Sequence, residues 1–271
     1  ENMIDATIQG VTNVGGIVGY TNNEVRDNIV NGTITATGNT CGGIAGYAWS
    51  NVTGNTSNAN IYGIENVGGC IGEMRSSAHR NFVCERNITT GNIEGKTKIG
   101  GVVGHGYIYI DGGKAYGYLT ISKCYSTGNI VATENQVGGI VGNMYVAADG
   151  GNWNGYSTGN IYNCFTLGSV RGKSYCGGLV GHFELYAWRR GRGYGNVINN
   201  YVACSVIKTD DETLILEEED YIEPFIGKFN VSLAQGSFSI PENNYYCPET
   251  TGLTESTYGT SKSLANMYSQ S

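Results

Sequence analysis

The chain has 271 residues, of which 43 are glycine and only 3 are proline. This balance favours many short strands and tight turns over collagen, which needs glycine at every third position. The formal net charge of −7 argues against nucleic acid and anionic lipid as partners, because both attract basic proteins. The sequence also lacks an uninterrupted apolar stretch of about 18 residues, so it predicts no direct membrane span.

A glycine-rich block, first seen as VGGIVGY, recurs along the chain. Its copies begin at Val14, Cys41, Val67, Ile99, Val137 and Cys176. They lack the Lys-Ser/Thr pair and the GxGxxG spacing of phosphate-binding loops, so they indicate a structural repeat. We expect each repeat glycine to lie where the chain packs too tightly for a Cβ, or where φ is positive. These glycines are Gly15, Gly16, Gly19, Gly42, Gly43, Gly46, Gly68, Gly69, Gly72, Gly100, Gly101, Gly104, Gly138, Gly139, Gly142, Gly177, Gly178 and Gly181.

A second block precedes each later glycine block, and the two together define one repeat. It reads NITTGNI from Asn87 and CYSTGNI from Cys124. Successive glycine pairs lie between 26 residues (42 to 68) and 39 residues (138 to 177) apart. A unit this short cannot bury its own apolar side, but stacked units can. The sequence therefore predicts an all-β fold, a single-stranded parallel β-helix of about seven turns, right-handed because parallel crossovers strongly favour that hand.

The predicted solenoid spans residues 1–252. Within it, 207–221 is an acidic insertion, and 222–252 is a decayed capping turn in which Glu223 and Pro224 replace the two glycines. Residues 253–271 follow as a C-terminal tail. Because the N-terminal edge begins within a repeat, we expect a preceding domain in the intact protein.

Stacked turns place equivalent residues in columns. One column contains Asn28, Asn55, Asn87, Cys124, Cys164 and Asn200. Its amides can hydrogen-bond along the solenoid axis. The eight cysteines mostly stand where other repeats have small or apolar residues, so we expect buried thiols. Whether Cys124 and Cys164, which are consecutive in this column, form a bridge stays open.

Three later repeats carry insertions, after Gly104, Gly142 and Gly181. In each insertion apolar residues alternate with polar and aromatic residues, and this period of two predicts strands with one face of each kind. Glycine-rich tips (DGGK, DGGN and RRGRG) predict lateral hairpins laid side by side. The alternation predicts one ligand-binding surface, formed by His105, Tyr107, Tyr109, Tyr145, Trp153, His182, Glu184, Tyr186, Trp188, Arg189, Arg190 and Arg192. Such a surface fits a glycan or a protein partner; alternatively, the rings merely cover the flank of the solenoid.

The sequence predicts no metal site, no cofactor and no catalytic residue. His105 and His182 share a column, but a whole turn separates them, which makes about 10 Å from two strand spacings and prevents joint ligation. The acidic run from Thr209 to Tyr221 lacks the alternate spacing of a calcium loop. We therefore favour a non-catalytic binding module. The alternatives are a carbohydrate-active β-helix enzyme (polysaccharide lyase or hydrolase), which needs converging carboxylates, and a purely structural spacer.

The glycine block, preceded by the C/N-Y-S-T-G-N-I block, resembles the GLUG motif over about residues 10–252. That repeat occurs in large bacterial surface and secreted proteins, including adhesin-like proteins and some immunoglobulin-A-cleaving metallopeptidases. The resemblance implies a β-solenoid that is extracellular or at the cell surface. It also implies a glycan or a host or cell-surface protein as partner, alongside other domains of the intact polypeptide. It carries over no catalytic residue, because the H-E-x-x-H zinc motif does not occur in this sequence.

Overall fold

The chain winds into a parallel β-solenoid of seven turns. The computed structural model describes residues 2–112, 114–209, 221–238, 243–263 and 265–266. Every described strand pairs in parallel with its equivalent in the neighbouring turns, and the repeat sets the register, so that Gly68 lies opposite both Gly42 and Gly100. The predicted parallel β-helix and its number of turns are confirmed. None of the described residues belongs to a helix that is long and apolar enough to cross a lipid bilayer.

Four sheets run along the solenoid, and each turn visits them in the same order. The corner sheet contains the first glycine of each pair, and its strands are Val14–Gly15, Cys41–Gly42, Glu65–Gly68, Thr97–Gly100, Asn135–Gly138, Ser174–Gly177 and Ile222–Glu223. The outward sheet follows, with strands Val18–Thr21, Ala45–Ala48, Ile71–Ser76, Val103–Asp111, Val141–Asp149, Val180–Trp188 and Ile226–Leu233. The return sheet comes next, with strands Val25–Arg26, Val52–Thr53, Arg80–Glu85, Tyr116–Ser122, Tyr156–Tyr162, Arg192–Ile198 and Gly236–Phe238.

The base sheet closes each turn and has the largest number of strands. These are Met3–Gly10, Ile29–Ala36, Thr56–Ser57, Asn60–Tyr62, Ile88–Thr89, Ile93–Gly95, Tyr125–Ser126, Asn129–Ala132, Phe165–Thr166, Ser169–Gly172, Tyr201–Val202, Ser205–Lys208, Tyr245–Tyr246 and Thr260–Ser261. A helical turn, Pro248–Thr251, precedes the last of these strands. Apolar side chains from all four sheets fill the interior between them.

Close backbone packing, and not a positive φ, explains the repeat glycines. A Cβ on Gly139 would lie 2.0 Å from the carbonyl oxygen of Gly178 in the next turn and 2.3 Å from Thr166 Cγ2. Of the two reasons predicted for these glycines, tight packing is confirmed and positive φ is wrong, since none of them is left-handed. The left-handed conformation belongs instead to the position two residues before each pair, namely Asn13, Thr40, Asn66, Lys98, Gln136, Tyr175 and Tyr221.

An amide ladder runs along the axis beside the base sheet, as predicted. Asn55 Nδ2 donates to the carbonyls of Val25 and Thr53, each at 3.1 Å. Asn55 Oδ1 accepts from the Nδ2 and the backbone N–H of Asn28 at 2.9 and 3.1 Å. Asn55 thereby satisfies buried backbone groups in its own turn and in the preceding one, and Asn87 and Asn200 likewise donate to a carbonyl of the preceding turn. The column contains Asn2, Asn28, Asn55, Asn87, Cys124, Cys164, Asn200 and Asn244.

All eight cysteines are free and buried, and Cys124 and Cys164 are not bridged. The Cys124 thiol donates to the Ser122 carbonyl at 3.2 Å, the contact that an asparagine amide makes elsewhere in the column. Cys84 Sγ, which belongs to a different column, lies 3.9 Å from Cys124 Sγ. A disulfide needs about 2 Å between the sulfurs. The thiols therefore act as small buried groups in the core.

The three insertions, together with the equivalent segment of the third turn, form two-layer arches, which we call the arms (residues 71–85, 103–122, 141–162 and 180–198). Their position and side-by-side order match the prediction, but the predicted hairpin pairing is wrong. In the fourth turn Val103–Asp111 and Tyr116–Ser122 belong to different sheets, and each pairs with its equivalents in neighbouring turns. Stacking thus uses the backbone groups that a hairpin would need. The apolar sides face each other, since a Cβ on Gly117 would lie 3.0 Å from Ile110 Cδ1.

The C-terminal end is covered by the last turn and by part of the predicted tail. The buried Phe225 ring meets Tyr246 edge-on, with 6.2 Å between the ring centroids. Gly259 packs so closely on this ring that a Cβ there would lie 2.1 Å from Phe225 Cε2, and Thr260–Ser261 adds a final strand to Tyr245–Tyr246. Most of the predicted acidic insertion, residues 210–220, lies outside the described residues.

Candidate functional site

Four of the predicted binding residues form a contiguous row of rings on the outer face of the outward sheet. Tyr107 lies opposite Tyr145 in register, and their rings stack with 5.0 Å between centroids and 7° between planes. Tyr145 is followed by Tyr186 at 5.7 Å, and Tyr186 stacks on Trp188 at 5.5 Å. We call these four residues the ladder. The strand alternation that predicted a shared surface for them places them together.

Arg75 joins the ladder to a second stack of rings nearer the N-terminus. Its guanidinium carbon lies 4.6 Å from the centroid of Tyr107 and 5.7 Å from that of Tyr47. Tyr47 in turn stacks on Tyr20, with 5.3 Å between centroids. Tyr20 is 51% exposed. An unbroken series of adjacent rings and one cation therefore runs from the first turn to the sixth.

The Tyr47 and Tyr145 phenols of this series are uncharged at physiological pH. Burial, followed by the neighbouring Tyr107 and Glu184, raises the pKa of Tyr145 to about 12. Burial likewise raises the pKa of Tyr47 to about 12, although the Arg75 cation opposes the rise. Since neighbouring groups of the series cover the faces of these rings, a ligand would meet neutral ring edges and hydroxyl groups that can hydrogen-bond.

Glu184 supplies the carboxylate nearest the ladder, and two donors from the chain hold it. Its Oε1 accepts from Asn143 Nδ2 at 2.8 Å, and its Oε2 accepts from the Tyr186 hydroxyl at 3.2 Å. His182 Nδ1 lies 3.5 Å from Oε1. Burial lowers the pKa of His182 and Glu184 raises it, with a net lowering. Such a carboxylate can accept hydrogen bonds from ligand hydroxyls.

A furrow runs between the outward sheet and the corner. Its floor is one column of the outward sheet, Tyr20, Tyr47, Glu73 and His105. Its wall is formed by left-handed corner residues, namely Asn13, Thr40, Asn66 and Lys98. The furrow has a volume of about 460 Å³. Arg75 joins the furrow to the ladder, because it lines the furrow and its guanidinium lies over the Tyr107 ring.

Side chains fill the same furrow in the later turns. His182 Nδ1 lies 3.0 Å from Gln136 Nε2, and the His182 ring is 5.2 Å from that of Tyr175. In the last turn the Lys228 ammonium lies 3.5 Å from the centroid of Tyr221. The first four turns are therefore where the furrow can receive a ligand.

Three predicted residues do not extend the ladder, and the prediction of a single surface is wrong for them. Trp153 and Arg190 line a separate cleft of about 290 Å³ together with Tyr156 of the return sheet. Arg192 lies over Tyr156, with 5.4 Å from the guanidinium carbon to the ring centroid. The two sheets of the arms face each other through their apolar sides. Their polar sides therefore point in opposite directions. Residues that follow the tip of an arm lie on the side of the return sheet, away from the ladder.

The remaining predicted residues lie at the margins of the ladder. Arg189 is exposed at a tip and pairs with Asp149, with Nε 2.7 Å from Oδ1, and this pairing lowers the pKa of Asp149. Tyr109 is half-buried and lies opposite Ala147, which offers no ring to stack on. His105 meets Tyr107 edge-on at 5.7 Å, but it is buried in the floor of the furrow.

The described residues provide no evident metal centre. Among them, no three His, Cys, Asp or Glu side chains come together in a group that could hold a metal ion. In the register of the outward sheet Asn143 lies between His105 and His182, so the two histidines are not on adjacent strands.

Sequence reasoning missed the furrow and the rings at its N-terminal end. A signal for them exists, because Tyr20, Tyr47 and Glu73 each follow the last glycine of a block, as His105 does. Compared with protein-family models, with curated proteins and with solved structures, the chain matches none of them.

Proposed function

We propose that this chain is a non-catalytic glycan-binding segment of a larger bacterial protein that is secreted or displayed at the cell surface. The observation that carries the proposal is the ring series from Tyr20 to Trp188, which follows the solenoid across six turns. Because the neighbouring rings cover one another's faces, the row presents a strip of apolar ring edges and hydroxyl groups, and the apolar faces of successive sugar units can lie along this strip. The resemblance to the GLUG motif supports the surface location and an adhesin-like role.

The polar groups beside the rings supply the hydrogen bonds that such a ligand needs. Arg75 lies over Tyr107 and Glu184 accepts from the Tyr186 hydroxyl, so they can bind hydroxyl groups of the glycan at two points along the ladder. Because binding uses only these side chains, it requires no cofactor. An enzymatic role is less well supported. The furrow carboxylates Glu73 and Glu65 are each paired with a cation, whereas glycoside hydrolysis needs one acid and one base.

A glycan array followed by calorimetric titration tests the proposal. Tyr145 lies at the centre of the ladder, so we expect Tyr145→Ala to weaken binding of the best array ligand at least tenfold. The matched control is Tyr118→Ala, which removes an exposed tyrosine from the return sheet and should leave the affinity unchanged. Melting temperatures of both variants show whether the fold is intact. Equal affinities for the wild type and Tyr145→Ala would contradict glycan binding at the ladder.

A further inference from the structure

The cleft on the return-sheet side of the arms combines cations with aromatic rings. It has a volume of about 290 Å³ and receives side chains from three successive arms. Lys114 Nζ lies 5.3 Å from the ring centroid of Trp153, which is 56% exposed. Arg190 is also exposed, and its Nη1 donates to the Asn152 carbonyl at 3.0 Å. That bond uses one of the five N–H groups of the guanidinium, which leaves others for a ligand.

The cleft is basic although the chain as a whole is acidic. Within the described chain, neither Lys114 nor Arg190 takes part in an ion pair, and no Asp or Glu lines the cleft. Arg192 adds a third cation at the border, because it lies over the Tyr156 ring, which does line the cleft. No acidic residue occurs in the adjoining strands of the return sheet, which are Tyr116–Ser122, Tyr156–Tyr162 and Arg192–Ile198.

The acidic residues near the tips of the arms belong to the opposite face. Asp111 and Asp149 lie opposite each other in the outward sheet, and the strand alternation places them on the same side as Tyr107 and Tyr145. Asp149 is already paired with Arg189. An anionic group that approaches from the return-sheet side therefore meets cations without a neighbouring carboxylate to compete for them.

We propose that this cleft binds an acidic sugar through its carboxylate. The Arg190 guanidinium can form two parallel hydrogen bonds to a carboxylate, and Lys114 adds a second positive charge. The exposed rings of Trp153 and Tyr116 supply apolar surface on which the sugar can pack. The net charge of −7 disfavours a dense polyanion such as nucleic acid, so the ligand is a saccharide with isolated acidic groups. Because the cleft lies on the face opposite the ladder, this inference goes beyond the proposed function and does not depend on it.

Calorimetric titration of the full chain tests the cleft with two probes of equal length, an oligosaccharide that contains uronic acid and a neutral hexose oligosaccharide. The reference protein is Tyr145→Ala, because binding at the ladder would otherwise contribute to both titrations. We expect it to bind the uronic-acid probe at least tenfold more tightly than the neutral probe. Adding Lys114→Gln and Arg190→Gln should weaken this binding at least tenfold, since both cations are lost. Trp153→Ala should also weaken it, whereas Arg171→Gln, the matched control, removes an exposed arginine from the base sheet and should not.

Salt dependence and a third probe sharpen the test. We expect the affinity for the uronic-acid probe to fall as the salt concentration rises from about 0.05 M to about 0.5 M, because salt screens exposed charges. A short acidic peptide is the third probe. If it binds the cleft as tightly as the uronic-acid probe does, the ligand is not a sugar and the proposal is overturned.

The other outcomes separate this inference from the proposed function. Equal affinities for the two sugars, full affinity in the double cation variant or in Trp153→Ala, or no binding of the uronic-acid probe would each overturn the cleft. If Tyr145→Ala and the wild type bind the best array ligand equally while the cation variant loses the uronic-acid probe, the ladder proposal fails and the cleft stands. Lys114, Trp153 and Arg190 are exposed, so these variants retain the core, and their melting temperatures verify it.

Discussion

At the corner of the solenoid, one position of every turn has a backbone conformation that costs free energy for the residue it carries. The position two residues before each glycine pair is left-handed, which glycine adopts freely and other residues adopt with strain of about 1 kcal/mol or more. Nevertheless, all seven described copies have a side chain there, with φ of 54° at Asn66 and 56° at Lys98. These two side chains form part of the furrow wall. Gln136 and Tyr175 have the same conformation in later turns, where side chains fill the furrow, so the strain belongs to the corner of the repeat and not to the candidate site.

The repeat glycines lead to a stability prediction. We expect Gly139→Ala to lower the free energy of unfolding by at least about 3 kcal/mol, because its Cβ would meet the Gly178 carbonyl oxygen at 2.0 Å. Gly155→Ala is the control, since its Cβ would meet nothing closer than Ile110 Cγ2 at 3.3 Å, and it should cost less than about 1 kcal/mol. Denaturant unfolding measures both. Similar costs for the two substitutions would show that crowding does not explain the repeat glycine.

His105 leads to a prediction of pH dependence. Its pKa is lowered from 6.5 to about 3 in the folded chain, so above pH 6.5 the imidazole is neutral in both the folded and the unfolded state. As the pH falls towards 3, the unfolded state binds a proton that the folded state does not, and stability is lost. We therefore expect the stability of the wild type relative to His105→Asn to decrease progressively below pH 6.5. The comparison removes the pH dependence that the wild type and the variant have in common, and a constant difference from pH 7 to pH 4 would disprove the prediction.

At the scale of the element, the arms have an apolar interior of their own. Leu185 and Val231 share one column of the outward sheet, but Leu185 is fully buried, whereas Val231, at the edge, is 45% exposed. We expect Leu185→Ala to cost about 2 to 5 kcal/mol and Val231→Ala to cost less than about 1 kcal/mol. Hydrogen exchange of arm amides and denaturant unfolding measure the two effects. Equal costs would mean that the sheets of the arms do not enclose a packed core.

The arms also show how far the sequence can predict the site. Period two revealed which side chains of a strand share a face, and it correctly grouped Tyr107, Tyr145 and Tyr186. It did not reveal which strand each arm strand pairs with, because apolar and polar residues alternate in the same way in hairpins and in arches. Trp153 was therefore assigned to the wrong face. Tyr20 was missed because its strand, Val18–Thr21, is too short to show a period.

At the scale of the molecule, the fold was predictable because one repeat decides the architecture many times over. Each copy offers the same glycines, apolar column and amide column, so a local misreading does not change the overall answer. The burial of His105 was not predictable. It depends on corner side chains such as Lys98, which approach the outward sheet only when the turn is closed. A contact between residues of two different columns cannot be predicted from the residue pattern of either column alone.

The stacked architecture also requires a covered end, and this gives the last prediction. Removing residues 253–271 deletes Gly259 from the Phe225 ring and leaves the edge of Tyr245–Tyr246 unpaired. An exposed apolar ring beside an open parallel edge favours pairing between chains. We expect this truncation to self-associate in light scattering and to melt at a lower temperature. Removing only residues 265–271 retains Gly259 and Thr260–Ser261 and should behave like the full chain. If both truncations elute and melt alike, residues 253–261 do not cap the solenoid.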